Sequence, residues 1–139
     1  MNESRSSFEQ SFALLGRVLM ALIFVRSAVA KIVTFGGTAA LIAQKGAPYP
    51  EYLLVAAIVV ELVAGMALAL GYKARYAAAA LIVFLVPATL MFHSYWSADA
   101  SSVLNETNHF YKNVAILGAL VFVMSVGAGA ASLDDRRRY

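Results

Sequence analysis

Apolar residues occur along this chain in long runs that are separated by short polar segments. A helix needs about 20 apolar residues to cross a bilayer. Four runs meet that length, at about residues 12–33, 52–71, 76–95 and 113–131. No shift in composition divides them. The pattern therefore predicts one all-α domain over residues 1–139, a polytopic membrane protein built as a four-transmembrane-helix bundle.

Composition supports this interpretation. Hydrophobic residues make up 61% of the chain and charged residues 14%. A soluble domain of this size leaves too much of its surface exposed to hide so many apolar side chains. The chain has no cysteine, which excludes disulfides, thiol chemistry and cysteine-ligated metal centres.

The first run also resembles the apolar region of a signal peptide, and Ala28-x-Ala30 mimics a cleavage site. The three runs that follow favour a retained first helix instead. Near the start of this run, Arg17 is expected to extend to the membrane interface. Arg26 lies too deep to do so.

The connections between the runs differ in character. The short basic turn Gly71–Arg75 makes the second and third helices antiparallel neighbours. Pro87 should kink the third helix, because it removes a backbone hydrogen bond. Residues 34–45 are predicted to form a short amphipathic helix with Leu41 and Ile42 directed into the bundle, and residues 94–108 are predicted to form a loop.

Lysine and arginine placement predicts the orientation. With four spans both termini share one side, and most basic residues fall on that side: Arg5, Arg17, Lys73, Arg75 and Arg136 to Arg138, against Lys31, Lys45 and Lys112. This asymmetry predicts cytoplasmic termini. The arginine tail is typical of a topology signal, so no nucleic-acid partner is expected.

Glu61 is the most informative single residue, because it lies alone within the second apolar run. A carboxylate at that depth must be paired, protonated or in contact with water. At 1.5 Å per residue, Glu61 lies about 14 Å from the outer end of its run at Tyr52, and Arg26 lies about 21 Å from the inner end of its run at Phe12. In an apolar core of about 30 Å the two residues are therefore at similar depths. An Arg26–Glu61 ion pair is therefore predicted, either within a functional site or only to fix helix register.

Other polar residues are expected at the outer side of Glu61: Lys31, His93, Lys112 and Asn113. Together they predict a polar pocket that opens outward, with Glu61 at its floor. His93 could equally be an ordinary interfacial residue. No metal site is predicted, because His93 and His109 match no ligand spacing.

These residues carry a resemblance to the DoxX family of small four-helix membrane proteins. The matching segments are Ala30-Lys31 before Phe35-Gly36, Lys45-Gly46-Ala47-Pro48, Glu61, Gly71-Tyr72-Lys73-Ala74-Arg75, Phe92-His93-Ser94-Tyr95-Trp96, Phe110-Tyr111-Lys112-Asn113-Val114 and Ser132-Leu133-Asp134. One departure is Gly127-Ala128-Gly129, where the family usually has Gly-Pro-Gly. The resemblance implies a bacterial inner-membrane protein. Some similar proteins are quinone-linked oxidoreductase subunits, and others are associated with oxidative-stress partners.

Two functions follow as expectations. In the first, the chain is a quinone-interacting redox subunit, in which Glu61 and His93 handle protons and the quinone is held by Arg26, Lys31, Trp96, Lys112 and Asn113. A protein partner would then carry the electrons. In the second, the chain is a non-enzymatic membrane anchor or assembly partner. Whether it is an enzyme stays open, as does the choice between a heterologous partner and a homo-oligomer.

Overall fold

Four helices are long and apolar enough to cross a membrane in the computed structural model, which describes residues 7–136. They are α1 (Ser7–Val33), α3 (Pro50–Leu70), α4 (Ala74–Phe92) and α5 (Val103–Val126). Two shorter helices, α2 (Phe35–Gln44) and α6 (Leu133–Arg136), lie between or after them, and a 3₁₀ turn spans Tyr95–Ser97. The described residues contain no strand. The predicted all-α, four-span architecture is confirmed.

The ends of the helices differ from the prediction in two places. Helix α5 begins at Val103, so the prediction of a loop over residues 94–108 is wrong beyond Ser102. Hydropathy marks the part of a helix that lies in the membrane, whereas residues 103–112 extend the same helix with polar side chains. At its other end α5 stops at Val126, because Gly127 takes the left-handed φ of 86°.

The short amphipathic helix predicted after the first span is confirmed as α2. Ile42 is buried against α1 and α3, as expected, and Leu41, although 45% exposed, lines the cavity inside the bundle. Pro50 then occupies the start of α3, where its missing N–H has no helical partner to lose.

Helix α1 packs most extensively against α3, and α4 packs against α5. Contacts between α3 and α4 join these two pairs. Gly65 allows the close approach of α1, since a Cβ there would lie 3.2 Å from Val25 Cγ2. Small residues also form part of the packed face of α4, where Ala77 and Ala78 are buried. Helix α4 continues through Pro87.

Two apolar clusters fill the bundle. The larger one joins α1, α3, α4 and α5 towards the α3–α4 turn and includes Phe24, Leu68, Leu81 and Leu120. The smaller one joins α1, α2 and α3 at the opposite end, around Leu54 and Ile58. The buried polar residues Glu61 and Asn113 lie between the two clusters, beside a largely apolar cavity.

The α3–α4 turn is fastened to the segment that follows α5. Gly71 ends α3 with a φ of 65°, and a Cβ there would lie 2.3 Å from Ser132 Cβ. The Asp134 carboxylate accepts hydrogen bonds from the backbone N–H groups of Lys73 and Ala74 at 2.7 and 2.9 Å. Asp134 therefore caps α4 from a distant part of the chain.

Arg17 holds the same segment from α1. Its guanidinium donates to the carbonyl oxygens of Ala128, Ala130 (3.1 Å) and Ala131 (2.6 Å). The side chain is 2% exposed, so Arg17 is satisfied by protein carbonyls at this end of the bundle and not by water. The carbonyls beyond the end of α5 lack helical donors, and a fork-shaped guanidinium can bind several of them at once.

Both termini are predicted to be cytoplasmic, and the structure sharpens the test. Arg5, Arg137 and Arg138 lie outside the described residues, but the α3–α4 turn with Lys73 and Arg75 lies at the same end of the bundle as α6. Reporter fusions after residue 139 and within the turn at residues 98–102 should report opposite sides of the membrane, the first in the cytoplasm. An external residue 139 would overturn the assignment.

Candidate functional site

A cavity of about 360 Å³ lies between the two apolar clusters, in the half of the bundle away from Arg17. All five helices from α1 to α5 contribute to its walls. Most of the lining is apolar, including Ile23, Phe24, Leu54, Phe84, Leu85 and Phe92; the polar lining consists of Ser27, Lys31, Thr38, Glu61, His93, Lys112 and Asn113.

Glu61 is paired with Lys31, so the predicted Arg26–Glu61 pair is wrong. Lys31 Nζ donates to Glu61 Oε1 at 3.0 Å and lies 2.9 Å from Oε2. It also donates to the Ser27 hydroxyl at 2.5 Å. Glu61 is 2% exposed, and its Oε2 has no aligned hydrogen-bond donor. The charge of this carboxylate is therefore balanced by Lys31, which contacts both of its oxygens.

The periodicity of α1 explains why Lys31 and not Arg26 reaches Glu61. The face of α1 that packs into the bundle carries Arg17, Ala21, Phe24 and Ala28. Lys31 continues this face three residues after Ala28. Arg26 is two residues past Phe24, about 200° around the helix, and is exposed.

A second polar pair lies between α4 and α5, and its Asn113 lines the cavity. The buried Asn113 amide donates to the Thr89 hydroxyl at 2.9 Å, and that hydroxyl donates to the Leu85 carbonyl at 2.7 Å. A helix interior tolerates threonine in this way because its hydroxyl bonds to the preceding turn. One N–H of the Asn113 amide is left for another acceptor.

The rim of the cavity is formed by the end of α4 and the first turns of α5. His93 Nδ1 lies 2.8 Å from Glu106 Oε2, and each of these side chains is about one quarter exposed. The His109 ring stacks on His93 with centroids 4.9 Å apart, and Lys112 Nζ lies 2.9 Å from His109 Nδ1. These groups form a polar cluster at the end of the bundle where α4 is connected to α5.

Five of the seven predicted site residues line the cavity together: Lys31, Glu61, His93, Lys112 and Asn113. The other two, Arg26 and Trp96, are not among the lining residues. Trp96 is 60% exposed and packs edge-on against Tyr95 and Phe110. The described residues hold no group of three or more side chains placed to bind a metal ion.

Sequence reasoning missed four polar residues of this region. Ser27, Thr38 and Thr89 lie in largely apolar helices, where lone hydroxyls are common and carry no distinguishing pattern. Glu106 lies within the predicted loop. It reaches His93 because α5 begins at Val103, before the end of that loop. A helical pattern extended upstream of Asn113 would have placed it there.

This arrangement suits a small amphipathic ligand. The walls are largely apolar, and the donors on Lys112 and Asn113 and the acceptor on Glu61 are placed at separate points around the cavity. Ligand sites commonly combine an apolar cavity of a few hundred Å³ with a few convergent polar groups.

Comparison with known proteins adds the relatives of the chain. It is 33% identical over 123 residues to inner membrane protein YphA of Escherichia coli (strain K12), a match that covers 88% of each chain. Inner membrane protein YqjF of the same organism is 28% identical over 87% of this chain and 88% of its own length. A Surfeit locus protein 4 homolog of Schizosaccharomyces pombe is 24% identical, and this match spans only 38% of that protein.

No solved structure matches the chain. The DoxX family profile matches residues 12–94, which contain α1 to α4 and most of the cavity wall. More than half of the chain is included in this match, and the YphA similarity, which spans 123 residues, extends into α5. This multi-pass membrane protein therefore belongs to the DoxX family.

Proposed function

We propose that this chain is a bacterial inner-membrane subunit whose cavity binds the head group of a quinone. The observation that carries the proposal is Glu61: a buried carboxylate, charge-balanced by Lys31, that lines an apolar cavity. The names of the two Escherichia coli relatives support the inner membrane as the location.

The remaining polar groups fit the two oxygens of such a ligand. Quinone carbonyls accept hydrogen bonds, which Lys112 and Asn113 can donate. Quinol hydroxyls donate them, and the Glu61 carboxylate, which lines the cavity, is an acceptor. The site can therefore hold both oxidation states from different sides of the cavity.

Reduction of a quinone to a quinol takes two electrons and two protons. In this proposal Glu61 and His93 exchange the protons, because Glu61 lines the inner part of the cavity and His93 lies at the rim with Glu106 and His109. The two electrons pass to or from a redox partner protein. General acid–base groups need to lie within hydrogen-bond reach of the proton they move, directly or through one water.

A non-enzymatic anchor is the second candidate. The Lys31–Glu61 pair supports it, because a balanced ion pair can fix the register of two helices without any ligand. An anchor is not expected to bind quinone in the cavity, so a measurement of quinone binding distinguishes the two candidates.

Thermal melting with a short-chain quinone tests the proposal. A ligand that binds only the folded protein raises its melting temperature by mass action. We expect saturating quinone to raise the melting temperature of the parent protein. The increase should shrink in His93→Ala and Lys112→Ala, and it should disappear in Ala57→Leu, which fills the cavity from α3.

Ala56→Leu is the matched control, because Ala56 lies on the same helix but is exposed outside the bundle. It should keep the full quinone response. No response in the parent protein would refute quinone binding and favour the anchor, and equal responses in Ala56→Leu and Ala57→Leu would place the quinone elsewhere.

A further inference from the structure

Arg26 is an exposed cation on the outer surface of a membrane-spanning helix. Its side chain points away from the cavity and makes no hydrogen bond or ion pair within the described part of the chain. An arginine that faces the hydrocarbon of a bilayer is energetically costly, and such residues normally contact a partner or water.

The depth of Arg26 follows from two contacts. Arg17, which binds the segment after α5 at the inner end of the bundle, is nine residues earlier, or about 14 Å along the helix. On the other side, Gly65 packs against Phe24 and Val25, so Arg26 lies near the level of Gly65 on α3. That level is about 20 Å from the start of α3 at Pro50. Arg26 therefore lies well inside the membrane.

Arg26 also occupies one position of a regular apolar stripe on the exposed side of α1. Steps of four and three residues alternate along it, and its other members are exposed: Phe8, Phe12, Leu15, Leu19, Leu22, Val29 and Val33. This heptad spacing is the pattern with which one helix packs along another. We call these eight residues the α1 stripe.

We propose that the α1 stripe is the docking surface for a membrane-spanning helix of another protein, and that this helix carries an aspartate or glutamate at the depth of Arg26. The charge of Arg26 selects the occupant. A polar group within a membrane helix interface is best satisfied by a complementary group on the facing helix.

A second copy of this chain does not supply that group. Among the described residues, Glu61 is the carboxylate at this depth, and it is buried against Lys31. Symmetric packing of two copies through the α1 stripe would moreover bring Arg26 towards Arg26. Lipid phosphates lie at the membrane surface, away from the level of Gly65.

Photo-crosslinking in the native membrane tests this proposal. A photoreactive amino acid is placed at Leu22, which is one turn from Arg26 on the stripe, and separately at Val63, an exposed α3 residue at similar depth. We expect a defined protein adduct from Leu22 and only lipid adducts from Val63. The cross-linked peptide should be an apolar segment with an aspartate or glutamate within about one turn of the cross-link.

Substitution of Arg26 completes the test. Arg26→Leu should reduce the Leu22 adduct about tenfold, because an interhelical polar interaction in a membrane is worth about that factor. Arg26→Lys, which keeps the charge, should retain most of it. Melting of both purified variants should match the parent protein, since Arg26 packs against nothing within the bundle.

Four results would overturn the proposal: lipid adducts alone at Leu22, a homodimer adduct, an adduct that survives Arg26→Leu, or a cross-linked segment without a carboxylate. The first would assign the stripe to lipid and the second to self-association. Each outcome is independent of whether the cavity binds quinone.

Discussion

Replacing Lys31 by methionine is expected to lower the free energy of unfolding of the detergent-solubilised protein by about 3–5 kcal/mol. The change leaves the Glu61 carboxylate buried without its cation. Glu61→Gln should cost less, because Lys31 is about one quarter exposed and still contacts Ser27. Equilibrium unfolding in a single detergent measures both.

The double variant then tests whether the two residues act as a pair. If they do, Lys31→Met combined with Glu61→Gln should lose clearly less stability than the sum of the single losses. The matched control is Arg26→Met with Glu61→Gln, where the effects should simply add. Additive behaviour in the Lys31 cycle, or coupling in the Arg26 cycle, would contradict the geometry of α1.

Replacing Arg17 by methionine is expected to have an effect of similar size, about 3 kcal/mol or more. Hydrogen bonds to a charged group contribute about 1.5–3 kcal/mol each, and Arg17 donates to three carbonyls. The loss should also appear locally. Amide hydrogen exchange should rise in residues 127–135, because Arg17 joins that segment to α1.

Arg26→Met is the matched control for this experiment as well, since it removes the same side chain from the same helix but from an exposed position. It should leave both the unfolding free energy and the exchange of residues 127–135 near the parent values. If Arg17→Met melted and exchanged like the parent protein, the segment after α5 would be held by Asp134 and Ser132 alone.

The quinone site and the α1 stripe involve different faces of helix α1. One face of α1 provides Lys31 to the cavity, and the other presents Arg26 to the membrane. A redox subunit without its own electron carrier requires a partner, and the α1 stripe is a surface on which a membrane-spanning partner could dock. The two proposals are nevertheless tested by separate experiments.

Hydropathy alone was enough to predict the number of membrane spans. A helix that crosses a bilayer must satisfy its backbone internally, so apolar runs of the right length leave few other structures. The same depth arithmetic correctly placed Glu61 among polar residues that the structure brings together: Lys31, His93, Lys112 and Asn113.

The sequence could not decide which cation Glu61 meets. In a helix that is apolar on all sides, the pattern does not mark the face that packs inward. Arg26 and Lys31 both lie near the depth of Glu61, and only the contact of α1 with α3, at Gly65, fixes the rotation that selects Lys31.

The binding of Arg17 and Asp134 to distant backbone groups was likewise beyond the sequence. Their partners are backbone carbonyl and N–H groups. Such groups occur along the whole chain, so the residue types do not indicate which of them will be bound. The four-helix fold could thus be predicted from length and hydropathy, because the bilayer requires a sufficiently long apolar run of each helix separately. The site could not, because it depends on how one helix is rotated against another. That rotation is fixed by contacts between residues far apart in the chain.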